Sequence, residues 1–293
     1  MLSPEYLTMI TTGFLVGSYA RVATIQEDFR QYPSYPNGYL INLVTGCVAA
    51  MIGAVFLPGL LTNNFVSVSF LALAIQQFRD VRKMERSALI DLENSEYSPR
   101  GHAYIDGIAK TFEARNYLAL VTAFLCTLTM KLIPGHRPLP DIIGGLLAGL
   151  AVLYLLRRLT KGKTVGDIAE IRLGKISIEQ DSLYVDDMFV HNVGLPDVQE
   201  RFLKEGVAVT ITPHDGNAQI ALANYGQRQA IVHEAVRTLG LKRYVYQRRD
   251  FEHGRICFAL IPIRQDRDLL LKLVRSVPLL ESTRKSKRMR NPE

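Results

Sequence analysis

Apolar residues in this chain are gathered, before Lys161, into runs nearly as long as a bilayer core is thick, and no other feature constrains the fold so strongly. A hydrocarbon layer of about 30 Å takes roughly 20 residues of helix to cross. Five stretches approach that length: Leu7 to Ile25, Leu40 to Thr62, Phe65 to Phe78, Tyr117 to Ile133, and Ile142 to Leu156 with its flanks. The third is short unless it reaches into Asn63 and Asn64, with Gln76 and Gln77 at its exit. No basic region opens the chain and no small-residue cleavage site follows the first run, so a retained membrane segment is expected.

Charge orients these runs. Arg79, Arg82, Lys83, Arg86, Arg100, Lys110 and Arg115 lie between the third and fourth, and Arg157, Arg158, Lys161 and Lys163 follow the fifth. The opposite connections, PGLLTNN and PGHRPLP, hold one Arg between them. Because basic loops stay in the cytoplasm, the expectation is an α-helical polytopic domain of about five spans over residues 1–160. Its N-terminus is outside, its C-terminus is cytoplasmic, and a cytoplasmic amphipathic loop fills 79–116. A cell-membrane setting is expected. Read this way, the net charge of +7 reports topology, and nucleic acid is disfavoured as a partner.

Small residues repeat at four-residue spacing in Gly13 and Gly17, Gly46 and Ala50, Ala49 and Gly53, and Gly145 and Gly149. Such pairs let helix backbones approach where lipid gives no hydrophobic drive. Packing within the bundle is the expected use, with a homo-oligomer contact as the alternative. Arg21 is expected to snorkel to the interface. Asp141, at the start of the fifth run, complements a helix dipole.

The stretch AYIDGIAKTFEARNYLALVTAF, from Ala103, changes character at Asn116: charged at helical spacing before it, almost wholly apolar after. Ile105, Ile108, Ala109 and Phe112 form an apolar stripe, while Asp106, Lys110 and Glu113 share another face with Asp106 one turn ahead of Lys110. The pattern predicts an amphipathic helix at the membrane surface that runs or bends into the fourth span. Gly107 inside it points to a close backbone approach or a kink. The series Tyr104, Ile105, Asp106, Gly107, Ile108, Ala109, Lys110, Phe112, Glu113, Arg115 and Asn116 resembles the signature of the YIEGIA family, membrane proteins of endospore-forming Firmicutes. Asp106 stands where that name has Glu, so the carboxylate is kept one methylene shorter. The resemblance implies an integral membrane protein tied to sporulation, and it suggests a link to proteolysis.

Beyond Lys163 the composition becomes that of a cytoplasmic α+β domain, over 164–282. DIAEIRLGKISIEQDSLYV reads as an added N-terminal β region with turns at Gly174 and at Asp181 to Ser182. VAVTITP and AQIALAN flank HDGN, read as a hairpin turn. A helix from about Gln227 to Leu239 stops at Gly240. YVYQ, ICFALIPI, a helix from Asp266 to Ser276 and a strand near Leu279 follow. From Gln219 the order is βαββαβ, that of a ferredoxin-like fold. Pro262 suggests an edge or bulge in the third strand. The tail 283–293 carries Arg284, Lys285, Lys287, Arg288 and Arg290, a cluster suited to anionic lipid.

The sequence presents no metal-ligand spacing, phosphate loop or nucleophile motif, and so implies no cofactor. Cys47, Cys126 and Cys257 are scattered and read as small buried hydrophobes. His233 and Glu234 read as part of a charged helix face. Asp106, Asp215 and Asp141 are the catalytic candidates. An aspartyl protease needs two close carboxylates sharing a proton, yet the expected topology sets Asp141 and Asp106 at opposite faces of the bilayer. The leading expectation is a sporulation membrane protein whose cytoplasmic domain is a sensor, anchor or scaffold for a soluble cytoplasmic protein partner. A membrane protease or protease component acting on a cytoplasmic substrate is the alternative.

Overall fold

In the computed structural model of the chain, residues 3–28, 36–62, 65–133, 138–160 and 162–283 are described. Two compact units emerge, one of Met1–Ala88 with Ile108–Lys161, the other of Leu89–Gly107 with Gly162–Glu293. The first is helical: α1 (Pro4–Asp28), α2 (Pro36–Leu61), most of α3 (Phe65–Glu93), most of α4 (His102–Leu132) and α5 (Pro138–Thr160).

The expectation of about five spans does not hold. Among the described residues two helices are long and apolar enough to cross a membrane, Leu40–Leu61 of α2 and Pro138–Thr160. Polar residues set the limit elsewhere. In α1 the apolar run is broken by Thr8, Thr11, Thr12, Ser18 and Arg21. Thr8, Thr11 and Thr24 turn their hydroxyls back onto a carbonyl about one turn earlier. The apolar part of α3 ends at Phe78, and the helix runs on as charged residues to Glu93, through positions expected to be loop. The apolar half of α4 is diluted by Thr122, Thr127, Thr129 and Lys131. Arg21 does not reach an interface either. It is fully buried within this unit, its Nε donates to the Asn42 carbonyl at 3.1 Å, and its guanidinium lies 5.3 Å from the centre of the Phe112 ring.

Glycine makes that burial fit. A Cβ at Gly46 would run into the Arg21 Cγ, and one at Gly53 would run into the Leu120 carbonyl oxygen. Ala49, Ala50, Ala54, Ala119 and Ala123 continue the close seam. It is closed at one end by the edge-on contact of Phe78 with Tyr117, their ring centres 5.3 Å apart.

The second unit holds β1 (Ala169–Gly174), β2 (Ile176–Glu179), β3 (Ser182–Val185), β4 (Met188–Asn192), α6 (Pro196–Glu205), β5 (Val207–Pro213), α7 (Gly216–Ala223), α8 (Tyr225–Leu239), β6 (Leu241–Arg249), β7 (Ile256–Pro262) and α9 (Arg267–Ser276). β2, β3 and β4 form an antiparallel meander, turned between β2 and β3 at Gln180 and Asp181, both at positive φ. The larger sheet is antiparallel in the order β1-β5-β7-β6. Every residue of β7 is buried, because both its faces are covered. Cys257, Ala259 and Ile261 join Leu183, Val185, Val190 and Phe202 in one core, and the alternate residues Ile256, Phe258 and Leu260 take the opposite face, where α8 packs.

Two steps of the expected ferredoxin-like βαββαβ order fail. AQIALAN is helix α7 rather than a strand. Asp215 is its N-cap, accepting from the Ala218 N–H at 2.6 Å, so HDGN starts a helix where a hairpin was expected. No strand forms near Leu279. Pro278 makes a single bridge to Thr164 and a 3-10 turn follows at Glu281–Thr283, while the edge beside β5 is taken by β1. Pro262 ends a central strand, where its missing N–H is harmless. The irregular register belongs to β6, with Tyr244 at φ 52°. Gly240 stops α8 at φ 69°, where a side chain would be strained.

Gly53→Val is expected to destabilise the helical unit by about 1–3 kcal/mol, because the added atoms meet the α4 backbone. Gly107→Ala is the opposite case: an added Cβ meets open space inside a continuous helix, and removing glycine there gains up to about 1 kcal/mol. Thermal melting of the detergent-solubilised protein checks both signs.

Candidate functional site

Buried polar side chains are rare because each must find a partner, so a cluster of them marks the place where a fold is most particular. In the second unit such a cluster joins 93–104 to α8. Arg100 and His233 are both buried. Arg100 donates from Nε to His233 Nε2 at 3.1 Å and from Nη2 to Glu96 at 3.2 Å, and among the described residues its Nη1 has no partner. The other imidazole nitrogen, Nδ1, is 2.7 Å from the Ser98 carbonyl. An Arg cannot accept and a carbonyl cannot donate, so these partners define a neutral ring with its proton on Nδ1. Beside it, Tyr104 donates its hydroxyl to Glu234 at 2.7 Å, and the Gly101 N–H donates to Glu93 at 2.6 Å.

Local sequence explains why the chain turns here. Gly101 sits at φ 88°, a conformation that ordinary side chains avoid, and a Cβ there would lie 2.7 Å from the Gln229 amide oxygen. The helix α4 then begins, and its first turns bring Tyr104 and Ile105 into the interior. On the partner side, α8 is buried from Ala230 to His233 and at Ala235 and Val236, so it is covered on more than one face. At its start Gln227 clamps the chain end, donating to the Pro278 carbonyl at 3.2 Å and accepting from the Leu280 N–H at 2.8 Å.

The electrostatics follow from this burial. His233 is held below its ordinary value of 6.5 mainly by burial. The Ser98 carbonyl opposes that, the Arg100 cation adds to it, and Glu234 and Glu96 pull weakly the other way. Burial pushes the Tyr104 phenol well above its usual value, and the Glu234 carboxylate adds to the shift.

Of the family-motif residues, Tyr104, Ile105, Ile108, Ala109, Phe112, Arg115 and Asn116 are buried, and Asp106, Gly107, Lys110 and Glu113 are half-buried along α4. Glu113 pairs with Arg82 at 3.2 Å in the helical unit. Both side-chain polar atoms of the buried Asn116 lack a hydrogen-bond partner among the described residues. A Cβ at Gly107 would meet nothing within 4 Å, so no close approach calls for glycine there, and α4 is continuous through it. Of the three candidate carboxylates, Asp215 is engaged as the α7 cap, Asp141 is buried in the first turn of α5 with one oxygen unpartnered among the described residues, and Asp106 belongs to the opening turns of α4. The basic tail, Arg284 to Arg290, lies outside the described residues. Among the described residues no group of three or more His, Cys, Asp or Glu gathers as a metal site. His233 and Glu234, expected on an exposed charged face, are instead central to the cluster. The signal for them was the apolar content of α8 beyond its main stripe, at Ala230, Val232 and Val236.

The family model described as YIEGIA protein matches residues 9–290. The Bacillus subtilis (strain 168) protein called Uncharacterized protein YphB is 34% identical over 285 residues, which cover 95% of this chain and 94% of that one. No solved structure matches the chain.

His233→Ala is expected to cost about 3 kcal/mol, since it strands the Arg100 Nε and the Ser98 carbonyl inside the protein. The effect has a defined pH dependence. A histidine with a lowered folded pKa contributes fully above its unfolded value of 6.5, and the contribution is lost as pH falls toward the folded value. Unfolding free energies measured between about pH 7.5 and 5.5 should therefore converge for wild type and variant on the acid side.

Proposed function

The chain belongs to the YIEGIA family, and we propose that it is a membrane-anchored protein whose C-terminal unit is an anchor, scaffold or sensor for a soluble protein partner during sporulation. The observation that carries this reading is that α2 and α5 are long and apolar enough to cross a bilayer, with Arg157, Arg158, Lys161 and Lys163 at or just after the end of α5. Basic residues at the end of a span favour the cytoplasmic side, which supports a C-terminal unit facing the cell interior, in the cell or forespore membrane. Tyr104, the one family-motif residue in the network with Arg100, His233 and Glu234, supports a structural rather than a catalytic use of that position. The Tyr104 hydroxyl and both imidazole nitrogens of His233 are already engaged within the protein. The link to sporulation comes from the family resemblance.

Resistance of the full chain to alkaline extraction, together with cytoplasmic activity of a reporter fused at its C-terminus, is the expected result. Crosslinking and mass spectrometry in sporulating cells should then recover one defined soluble protein, lost on deleting the chain after Lys163. Extraction without detergent, or a reporter active outside the cell, would sink the reading.

A further inference from the structure

Apart from the buried cluster, the C-terminal unit has a second concentration of polar groups, and it is open to solvent. A cavity of about 320 Å³ lies where α7 passes into α8, lined by Ala223, Tyr225, Arg228, Gln247, Arg249 and Phe251 with Arg248. Its volume falls in the range of small-ligand sites. Two of its guanidinium groups have no carboxylate partner among the described residues. Arg228 donates to the Ala223 carbonyl at 3.0 Å and lies 5.8 Å from the Tyr225 ring centre; Arg249 lies 5.4 Å from the Phe251 ring centre. The nearest acid in sequence, Asp250, is committed elsewhere. It accepts from Arg255 at 3.0 and 2.9 Å and from the Glu252 N–H, and it contacts His253 at 3.1 Å. Arg248 is likewise turned away, its guanidinium 5.9 Å from the Phe189 ring.

Two cations facing one cavity with no anion between them repel, and burial, with Arg249 adding to it, makes the charged form of Arg228 harder to hold. Two buried atoms of lining residues, the Arg249 Nε and the Gln247 Oε1, also have no hydrogen-bond partner among the described residues, but neither is open to the cavity. The first turn of α8, capped by Asn224, adds the positive end of a 15-residue helix. An anion between the two guanidinium groups relieves the repulsion. A simple anion would leave both aromatic rings unused. Tyr225 and Phe251 are 63% and 75% exposed, each with one face toward its arginine and the other available for stacking.

We propose that this cavity binds a nucleoside phosphate, with the phosphate between Arg228 and Arg249 and the base stacked on Tyr225 or Phe251. The loop carrying Phe251 is set in place beforehand by Arg255, which bridges Asp250 and, at 2.8 and 2.7 Å, Asp187 of the β3–β4 turn. The inference rests on the C-terminal unit alone and is independent of the membrane reading.

The test is equilibrium binding of a fluorescent ADP analogue to the purified full chain in detergent, with unlabelled ADP, adenosine, glycerol 3-phosphate and inorganic phosphate as competitors. Saturable binding displaced best by ADP is expected. R228Q and R249Q should each weaken it about tenfold or more. Y225L and F251L should weaken nucleotide binding while sparing phosphate. R228K and R249K, which keep the charge and lose the planar fork, provide variants whose melting can be matched to wild type should the Gln variants fail to fold. Absence of saturable binding, or affinity unchanged in R228Q/R249Q, overturns the proposal. Equal displacement by inorganic phosphate reduces the site to a bare anion pocket, and stronger displacement by glycerol 3-phosphate assigns it to lipid headgroups; either result also overturns it.

Discussion

The C-terminal unit depends on one imidazole having its two nitrogens used in opposite senses. His233 donates from one side and accepts on the other, and each partner belongs to the segment before α4 rather than to the sequence around the histidine. A neutral histidine is the one side chain that offers a donor and an acceptor about the diameter of a ring apart. Glutamine or asparagine would offer both functions from one end. The cluster therefore fixes the Ser98 backbone and the Arg100 side chain together, and Gly101 supplies the backbone turn that lets Tyr104 reach Glu234 one residue further along α8.

A different solution to the same difficulty operates among the helices. Arg21 is buried without losing all its polar contacts because the Asn42 carbonyl and the Phe112 face are within reach, and because Gly46 leaves room for its stem. Small residues thus serve two ends in this unit: they bring backbones together, as at Gly53, and they leave space for a long cation. Two of its helices have the length and apolarity of spans, while α1 and α4 bury polar residues along with their apolar ones.

Where pattern and packing agreed, the sequence was easy to read. The apolar run ICFALIP, the stop at Gly240, the turn beside Asp181, and the helices ending at Leu239 and Ser276 appear as expected, because local conformation and burial demand the same residues there. HDGN was misread because Asp-Gly suits a hairpin turn and a helix cap equally, and only the alanines of α7, three in eight residues, tip the balance to helix. The missing last strand reflects a competition at the sheet edge that β1 wins, and nothing local to Leu279 records it. Counting apolar runs overstated the spans, since the run from Phe65 to Phe78 is short and its helix continues as charged residues to Glu93. The polar cluster was illegible for a further reason: its members are 130 or more residues apart, and a charged residue on a helix is ordinarily a sign of solvent.

Because Leu89–Gly107 belongs with Gly162–Glu293, the C-terminal unit is interrupted in the chain by α4 and α5. A ribosome delivers Ser98 and Arg100 well over a hundred residues before His233, so their contacts with the imidazole form only once the chain beyond both intervening helices has been made. Final closure of this unit is thereby tied to late translation, after α4 and α5 have been made.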